Sequence, residues 1–214
     1  MRGDCVNNST NPWNEIKLSD YENHMSLESV NQLQTLNAMM RSQLQDYPVD
    51  TAVILGVAGG NGLEHVSPEK YKKVYGVDIN GEYLKAAAER YAYLGDVLEL
   101  LKIDVITEAD QLPNADLLIA DLIVEYIGEA ALVEAVRQIL PEYVSIIIQV
   151  NRDEKNWVSD SPYIHAFDGL DKIHHKLDEM WVAASMRGIG YKKGPRFSEE
   201  LPNGKALVRM DYYL

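Results

Sequence analysis

The sequence predicts an α/β fold with a mostly parallel seven-stranded sheet, an antiparallel C-terminal hairpin and helices on both faces. Between residues 51 and 151, short apolar runs rich in β-branched side chains alternate with stretches of helical period. Such alternation is typical of βαβ units, whose right-handed crossovers place helices on both faces of a parallel sheet. The last two strand-like runs are joined only by SEELPNG (198–204). This connection is too short for a helical crossover, so these two strands are expected to pair antiparallel.

The first half of the chain begins with a predicted helix. Residues 26–46 carry apolar side chains at steps of three and four, and Pro48 follows, which predicts a helix that ends before this proline. The run 51–57 is short and apolar, as expected of a strand buried on both faces. The next predicted elements are a strand over 73–78, a helix over 80–94 with Asn80 as its N-cap, and a strand over 97–104.

The second half continues the alternation and then departs from it. Apolar runs predict two further parallel strands, separated by a helix that ends before Pro141. The predicted elements are strands over 115–121 and 143–151, helices over 128–140 and 168–188, and the hairpin strands over 189–197 and 205–214.

Composition limits the classes of function. The 214 residues are 46% hydrophobic, which is ordinary for a globular domain, and no apolar run approaches the roughly 18 residues of a membrane span. The 33 acidic and 20 basic residues give a net charge of −13, so nucleic acid and anionic membranes are not expected partners. Residues 1–25 lack a signal-peptide core, and Cys5 is the single cysteine, which together predict a cytoplasmic location.

A glycine-rich loop follows the first strand in VILGVAGGNGLEHV (53–66) and leads into what reads as a helix. Glycine tolerates positive φ and lets the backbone approach a ligand closely. In open α/β sheets, ligands bind beyond the carboxyl ends of the strands. Asp78 ends the second strand about twenty residues after the loop, where a carboxylate can accept hydrogen bonds from ribose hydroxyls. Loop and acid together predict a site for a cofactor that contains a nucleoside.

The dinucleotide fingerprint G-x-G-x-x-G/A does not fit this loop in either register. The two sets of residues at the fingerprint positions are Gly56, Ala58 and Asn61, and Gly60, Gly62 and His65. A phosphate-binding G-x-x-x-x-G-K-[ST] run does not occur either. A nicotinamide-dependent oxidoreductase therefore stays open only as an alternative.

The sequence resembles the class I S-adenosylmethionine-dependent methyltransferases. In that family a first-strand motif D/E-x-G-x-G-x-G wraps the methionine part of the cofactor, a second-strand acid binds its ribose, and a third-strand acid lies near its adenine. Here ILGVAGGNG (54–62), Asp78 and Asp104 occur in that order, and the C-terminal hairpin follows. The resemblance covers roughly residues 50–214.

Position by position, the first motif matches in part. Gly56 and Gly60 fall on its first and third glycines, whereas Ala58 stands at the second and Ile54 replaces the acid. The resemblance implies a domain over 49–214 that binds S-adenosylmethionine, preceded by a helical extension or lid over 1–48. The cofactor-binding residues that it implies are Gly56, Val57, Ala58, Gly60, Asp78, Ile79, Asp104, Val105, Asp121 and Leu122.

The resemblance also implies the reaction, which is methyl transfer to an acceptor that the acidic composition indicates is a small molecule. Orientation supplies much of the rate of such a transfer, and a general base is needed only for a protonated acceptor. Residues after the fourth strand, at the ligand side of the sheet, are the candidates for catalysis: Asp121, Glu125 and Tyr126. A Rossmann-like protein that binds the cofactor, or nothing, without catalysis stays open as a second alternative.

Candidates for contact with the acceptor lie in two segments. The long connection 151–169 contributes aromatic and polar side chains, and the N-terminal segment could fold over the cofactor. The predicted acceptor residues are Tyr21, His24, Asn151, Trp157, Tyr163 and His165. The histidines show no spacing that indicates a metal site, so no metal is expected.

Overall fold

The computed structural model describes residues 11–151 and 157–214. Its sheet has seven strands in the order β3-β2-β1-β4-β5-β7-β6, in which β1 to β5 are parallel and β7 is antiparallel to both its neighbours. The strands are β1 Thr51–Leu55, β2 Lys73–Asp78, β3 Leu98–Lys102, β4 Leu117–Asp121, β5 Tyr143–Val150, β6 Lys192–Glu200 and β7 Ala206–Tyr213. The predicted fold class, including the antiparallel hairpin, is confirmed.

Five α-helices accompany the sheet in the described part of the chain. They are α1 Leu18–Ser26, α2 Gln32–Asp46, α3 Gly81–Arg90, α4 Val124–Ile139 and α5 Glu179–Gly188. Asn80 caps α3 as predicted, because its side chain accepts the backbone N–H groups of Glu82 and Tyr83. None of the helices among the described residues is long and apolar enough to cross a membrane. Cys5 and the start of the predicted 1–48 extension lie outside the described residues.

The central strands β1 and β4 are buried on both faces, as their apolar runs predict. Alternate side chains divide between two cores: Val53 and Leu55 pack with α4, whereas Ala52 and Ile54 pack beneath α2. Ile54 is only 1% exposed. The position where the resemblance expects an acid is therefore a core position, in which an unpaired carboxylate would be costly.

Three helix predictions require correction. The helix expected over 80–94 ends at Arg90, and a 3₁₀ segment, Ala92–Val97, follows it. The helix expected over 26–46 begins only at Gln32, after Asn31 in a left-handed conformation (φ 52°), and a separate helix, α1, ends at Ser26 where the expected helix starts. The helix expected from residue 168 begins only at Glu179, where the Asp178 side chain accepts the backbone N–H of Trp181 and caps α5. The apolar residues before it form a 3₁₀ segment, Ile164–Lys172. Apolar spacing of three to four residues fits both conformations, so the caps decide between them.

The crossover from β1 to β2 also differs from the prediction. Residues 56–72, all within the described part, contain only a single 3₁₀ turn, Leu63–His65, in place of the helix expected after the glycine loop. Helix α2 packs there instead. Asn37 Nδ2 donates to Asn61 Oδ1 at 3.1 Å, and a Cβ on Gly62 would collide with the sulfur of Met40. Helix α2 of the N-terminal extension thus covers the face of the sheet on which the β1–β2 crossover has no helix.

Candidate functional site

A cavity lies at the carboxyl edge of the parallel strands. Its floor comes from the residues that end or follow β1 to β5: Gly56 and Ala58, Asp78 and Ile79, Asp104 and Val105, Asp121 and Leu122, and Gln149 and Asn151. The N-terminal segment covers one side with Trp13, Tyr21 and His24, and Trp157 and His174 complete the wall. This is the edge at which open α/β sheets bind their ligands.

Most of the sequence-predicted site residues meet in this wall. Those that line it are Gly56, Ala58, Asp78, Ile79, Asp104, Val105, Asp121, Leu122, Glu125, Tyr126, Tyr21, His24, Asn151 and Trp157. They derive from five strand ends, from the helices α1 and α4 and from the loop after β5, so the fold assembles them from positions far apart in the chain.

Four predicted residues lie elsewhere: three are packed against other side chains and one is exposed. Val57 is buried in the core beneath α2. Gly60 faces the ring of Tyr91, which a Cβ would strike. Tyr163 packs in a small apolar cluster with Phe167, whereas the side chain of His165 is 89% exposed and faces Asp168.

Asp78 joins the glycine loop to the second strand. Its Oδ2 accepts the backbone N–H of Ala58 at 2.9 Å, and its Oδ1 accepts that of Asn80 at 2.8 Å. Burial raises the pKa of this carboxyl above its ordinary value, and backbone hydrogen bonds to the ionised form oppose that shift. The carboxylate therefore orders the loop and also forms part of the cavity wall.

The glycine loop turns sharply where it meets Asp78. Gly56 adopts φ +69° and Ala58 adopts φ +48°, a left-handed region that a residue with a Cβ enters at a cost of about 1 kcal/mol. Gly56 and Val57 both donate their N–H groups to the carbonyl of Val77, at 2.8 and 3.0 Å. These bonds fix the loop against β2 and leave Gly56 and Ala58 on the cavity side.

Asp104 follows β3 and orders the next stretch of wall. Its Oδ1 accepts the backbone N–H of Ile106 at 3.0 Å, and its own N–H donates to Glu108 at 2.9 Å. The carboxylate thus holds a tight turn and presents Asp104, Val105 and Ile106 to the cavity.

Two buried carboxyls lie beyond the end of β4. Asp121 Oδ1 accepts Gln43 Nε2 at 2.8 Å, and Glu125 Oε1 accepts the backbone N–H of Gln149 at 2.8 Å. The second oxygen of each carboxyl is buried and has no hydrogen-bond partner among the described residues. Burial raises the pKa of each carboxyl to about 7.

The N-terminal segment is fixed over the cavity by polar and aromatic contacts. The carbonyls of Trp13 and Ile16 accept Asn80 Nδ2 and the Tyr83 hydroxyl, each at 2.9 Å. Tyr21 stacks on Tyr83, and Glu22 forms a two-pronged ion pair with Arg90 beside the glycine loop.

His24 is held on the opposite side of α1. Its Nδ1 lies 2.7 Å from Ser161 Oγ, and its ring packs against Phe167. Burial, aided by the charge of Lys205, lowers the pKa of His24 to about 4, so this ring is neutral at pH 7. The contact connects the N-terminal segment to the loop that follows β5.

Sequence reasoning missed several polar wall residues. Gln149 lies at the carboxyl end of β5, and its amide contacts Gln32, Asn151 and the carbonyl of Trp157. Its position at a strand end was the signal that could have identified it. Gln32 and Trp13 gave no comparable signal, since the helix and loop that carry them meet the sheet only in the folded chain. Among the described residues, no group of three or more His, Cys, Asp or Glu could hold a metal ion.

Comparison with known proteins gives fold-level likeness at low sequence identity. A scan against protein-family models finds no match, and no curated protein matches the sequence. An S-adenosylmethionine-dependent methyltransferase from Leishmania major aligns with a TM-score of 0.67 and 12% identity over 95% of this chain and 80% of that one.

Two further solved structures align similarly. The N-terminal domain of EvdMO1, crystallised in the presence of SAH and D-fucose, gives a TM-score of 0.62 and 14% identity over 83% of this chain and 82% of that one. The [4+2]-cyclase SpnF gives a TM-score of 0.63 and 11% identity over 84% and 80%. Strand order, hairpin and these neighbours agree: the chain has the fold of the class I S-adenosylmethionine-dependent methyltransferases.

Proposed function

We propose that the cavity binds S-adenosylmethionine and that the protein transfers its methyl group to a small-molecule acceptor. The observation that carries this proposal is the convergence of Gly56, Asp78 and Asp104 on one wall at the carboxyl edge of β1 to β3. Their order along that edge is the order in which the family binds methionine, ribose and adenine.

The residues present fit this cofactor. Asp78 has a carboxylate in the wall that can accept ribose hydroxyls, and the turn ordered by Asp104 offers apolar surface for a base through Val105. The cradle of Gly56 and Ala58 exposes backbone, and Asp121 offers an unpaired oxygen nearby in the wall. When bound, S-adenosylmethionine supplies an activated methyl group on a positively charged sulfur.

The chain's own contribution is orientation, exclusion of water and acceptance of a proton. Trp13, Tyr21 and Tyr126 cover the cavity with aromatic surface, which holds reacting groups close together and removes solvent. Glu125 is the candidate general base, because its buried carboxyl with a pKa near 7 can take up a proton at neutral pH.

The N-terminal segment up to residue 48 is proposed to act as a lid. Tyr21 and His24 of α1 line the cavity from above, and Asn151 and Trp157 line it from the opposite loop. We assign them to the acceptor side of the cavity.

The same residues support other activities on this fold less well. A dinucleotide-dependent oxidoreductase would need the glycine fingerprint, which this loop lacks. One neighbour of the same fold is described as a [4+2]-cyclase, so the fold alone does not decide the reaction. The wall at Asp78 and Asp104 favours a nucleoside-containing cofactor, and Glu125 favours catalysis over binding alone.

Crystallisation with S-adenosylhomocysteine tests this proposal. We expect electron density for the ligand between Gly56 and Asp104, with ribose hydroxyls within hydrogen-bond distance of the Asp78 carboxylate. Density elsewhere on the protein, or a ligand that leaves Asp78 without contact, would contradict it. A parallel soak with NAD is the control, and we expect it to leave the cavity empty.

A further inference from the structure

We propose that the cavity wall around Glu125 is an acceptor subsite for a protonated amine carried on an apolar or aromatic body. The inference rests on the proposed function, since it names the class of molecule that would receive the methyl group. It is carried by an unsatisfied carboxyl, by the charge balance of the wall and by the aromatic rings beside it.

The unsatisfied carboxyl is that of Glu125, which is only 6% exposed. One oxygen accepts the backbone N–H of Gln149, and the other has no partner among the described residues although the side chain lines the cavity. A buried acceptor without a donor carries a free-energy cost that a ligand with N–H groups removes. An ammonium group offers three such donors.

The charge balance of the wall selects the same kind of ligand. Four carboxylates line the cavity, at Asp78, Asp104, Asp121 and Glu125, and no lysine or arginine lines it within residues 11–151 and 157–214. Asp78 and Asp104 are assigned to the cofactor. The pKa of each of the other two carboxyls is about 7, and in the ionised form they attract a cation and repel the carboxylate or phosphate of an anionic acceptor.

The positive groups near this wall do not neutralise it. His24 and His174 line the cavity, but burial lowers the pKa of both rings, so they are neutral at pH 7. Lys205 lies behind the loop, where its Nζ donates to the carbonyl of Trp157. Arg209 pairs with Asp46 and Asp211, and its charge only partly offsets the effect of burial on the pKa of Asp121.

Aromatic rings surround the acidic end of the cavity. Tyr126, the neighbour of Glu125, has the ring of Trp13 at 4.9 Å and that of Trp157 at 6.3 Å, and Trp157 stacks on His174 at 4.0 Å. Such faces bind the apolar body of a ligand and add a cation–π attraction for its ammonium group. The Glu125 carboxylate can also accept the proton that an ammonium nitrogen must lose before its lone pair is free.

The test compares three probes that share one shape and differ in head group: phenethylamine, 2-phenylethanol and phenylacetate. Each is titrated calorimetrically into protein already saturated with S-adenosylhomocysteine. We expect phenethylamine to bind at least tenfold more tightly than 2-phenylethanol, and phenylacetate to give no detectable heat of binding. Equal binding of amine and alcohol, tighter binding of phenylacetate, or no binding of the amine would overturn the inference.

Two variants locate the site. Glu125→Gln should weaken phenethylamine binding about tenfold and leave 2-phenylethanol unchanged. Glu129→Gln, four residues further along α4 and beyond its break at Gly128, is exposed and outside the wall and should bind both probes as the parent does. An unchanged amine affinity in Glu125→Gln would overturn the assignment. Failure of S-adenosylhomocysteine itself to bind would overturn the proposed function, and the inference with it, whereas cofactor binding without amine preference overturns the inference alone.

Discussion

The carboxylate of Asp78 has two roles. It accepts the N–H groups of Ala58 and Asn80, which orders the glycine loop and the start of α3, and it forms part of the cavity wall. A single residue thus couples the conformation of the loop to the place assigned to the ribose.

Replacement of Asp78 by alanine should weaken the binding of S-adenosylhomocysteine by about 2–3 kcal/mol, or roughly 30- to 150-fold. The variant leaves the ribose hydroxyls unpaired and removes the partner of the Ala58 N–H. Calorimetric titration measures the affinity, and thermal unfolding shows how much stability is lost. Asp110→Ala, at an exposed aspartate outside the wall, is the matched control. An affinity that does not change in Asp78→Ala would mean that the ribose lies elsewhere.

Glu125 should leave a signature in the pH dependence of stability. Its folded-state pKa of about 7 lies above the ordinary 4.5, so the native state holds the proton more tightly than the unfolded chain. Its contribution to the free energy of unfolding is therefore present below about pH 4.5 and lost as the pH rises to about 7. Glu125→Gln should match the parent at low pH and exceed its stability at pH 8 by a few kcal/mol.

Thermal unfolding of Glu125→Gln and the parent between pH 4 and pH 8 measures this difference. The control Glu129→Gln should follow the parent throughout. Curves for Glu125→Gln and the parent that stay parallel across the range would show that the buried carboxyl is ionised at an ordinary pKa.

At the residue scale, the sequence could predict those site positions that follow from strand ends. Asp78, Asp104 and Asp121 each end or follow a recognisable strand, so their meeting in one wall was predictable. The partner Gln43 was not, because it lies on α2 and bonds across the fold to a residue far away in the sequence. Gly60 was assigned to the cofactor on its motif position, whereas the ring of Tyr91 accounts for it by packing.

At the element scale, α1 and α2 belong to the site as much as the sheet does. Helix α2 covers the face that the β1–β2 crossover leaves open, and α1 crosses the glycine loop, where Leu18, Glu22 and Arg90 leave no room for a side chain at Gly59. Helix α1 therefore lies against the glycine loop at the edge of the cavity, and the ion pair between Glu22 and Arg90 fixes it there.

Breaking this ion pair should speed ligand release. Glu22→Ala removes the bidentate ion pair with Arg90, which is partly exposed and contributes about 1 kcal/mol. If this ion pair keeps α1 over the ligand, the dissociation rate of S-adenosylhomocysteine should rise about fivefold in the variant. Stopped-flow displacement measures that rate. Glu179→Ala, which breaks the similarly exposed pair with Arg196 away from the cavity, is the control. Identical rates in Glu22→Ala and the parent would show that α1 is not the gate.

The element boundaries show where the sequence signal ends. Strands and the capped helix α3 were predictable, since apolar runs and Asn80 mark them. The missing helix after the glycine loop was not, because its place is taken by α2 from outside the βα repeat. Likewise, the apolar spacing after residue 164 fits a 3₁₀ segment as well as the predicted helix.

At the scale of the whole molecule, a buried polar network joins the C-terminal hairpin to the cavity. Arg209 of β7, 2% exposed, pairs with Asp211 and with Asp46 of α2. Asp211 accepts Ser145 Oγ at 2.6 Å, and Ser145 in turn accepts the Gln43 amide that also donates to Asp121. The antiparallel hairpin, which the sequence predicted from its short connection, thus helps to position α2 and the end of β4.

Arg209→Met should destabilise the protein by about 3–5 kcal/mol, because it leaves the carboxylate of Asp211 buried without its cation. Urea denaturation monitored by circular dichroism measures the loss. Arg196→Met, at an exposed arginine of β6, is the control and should cost less than about 1 kcal/mol. A loss as small for Arg209 as for Arg196 would show that the network contributes little to the fold.

The overall topology could be predicted from the sequence, because general rules on strand connections allow only a few topologies. Right-handed crossovers and the short SEELPNG connection together leave few arrangements of seven strands, and the observed order β3-β2-β1-β4-β5-β7-β6 is one of them. The acceptor was not within reach, since the side chains assigned to its subsite come from α4, β5 and the segments that cover them.

Calorimetric titration of the purified protein with S-adenosylmethionine, S-adenosylhomocysteine and NAD tests the central claim most directly. The account predicts binding of both sulfur compounds with micromolar dissociation constants and no heat of binding for NAD. Binding of NAD without either sulfur compound, or binding of none of the three, would contradict the assignment of the cavity to S-adenosylmethionine.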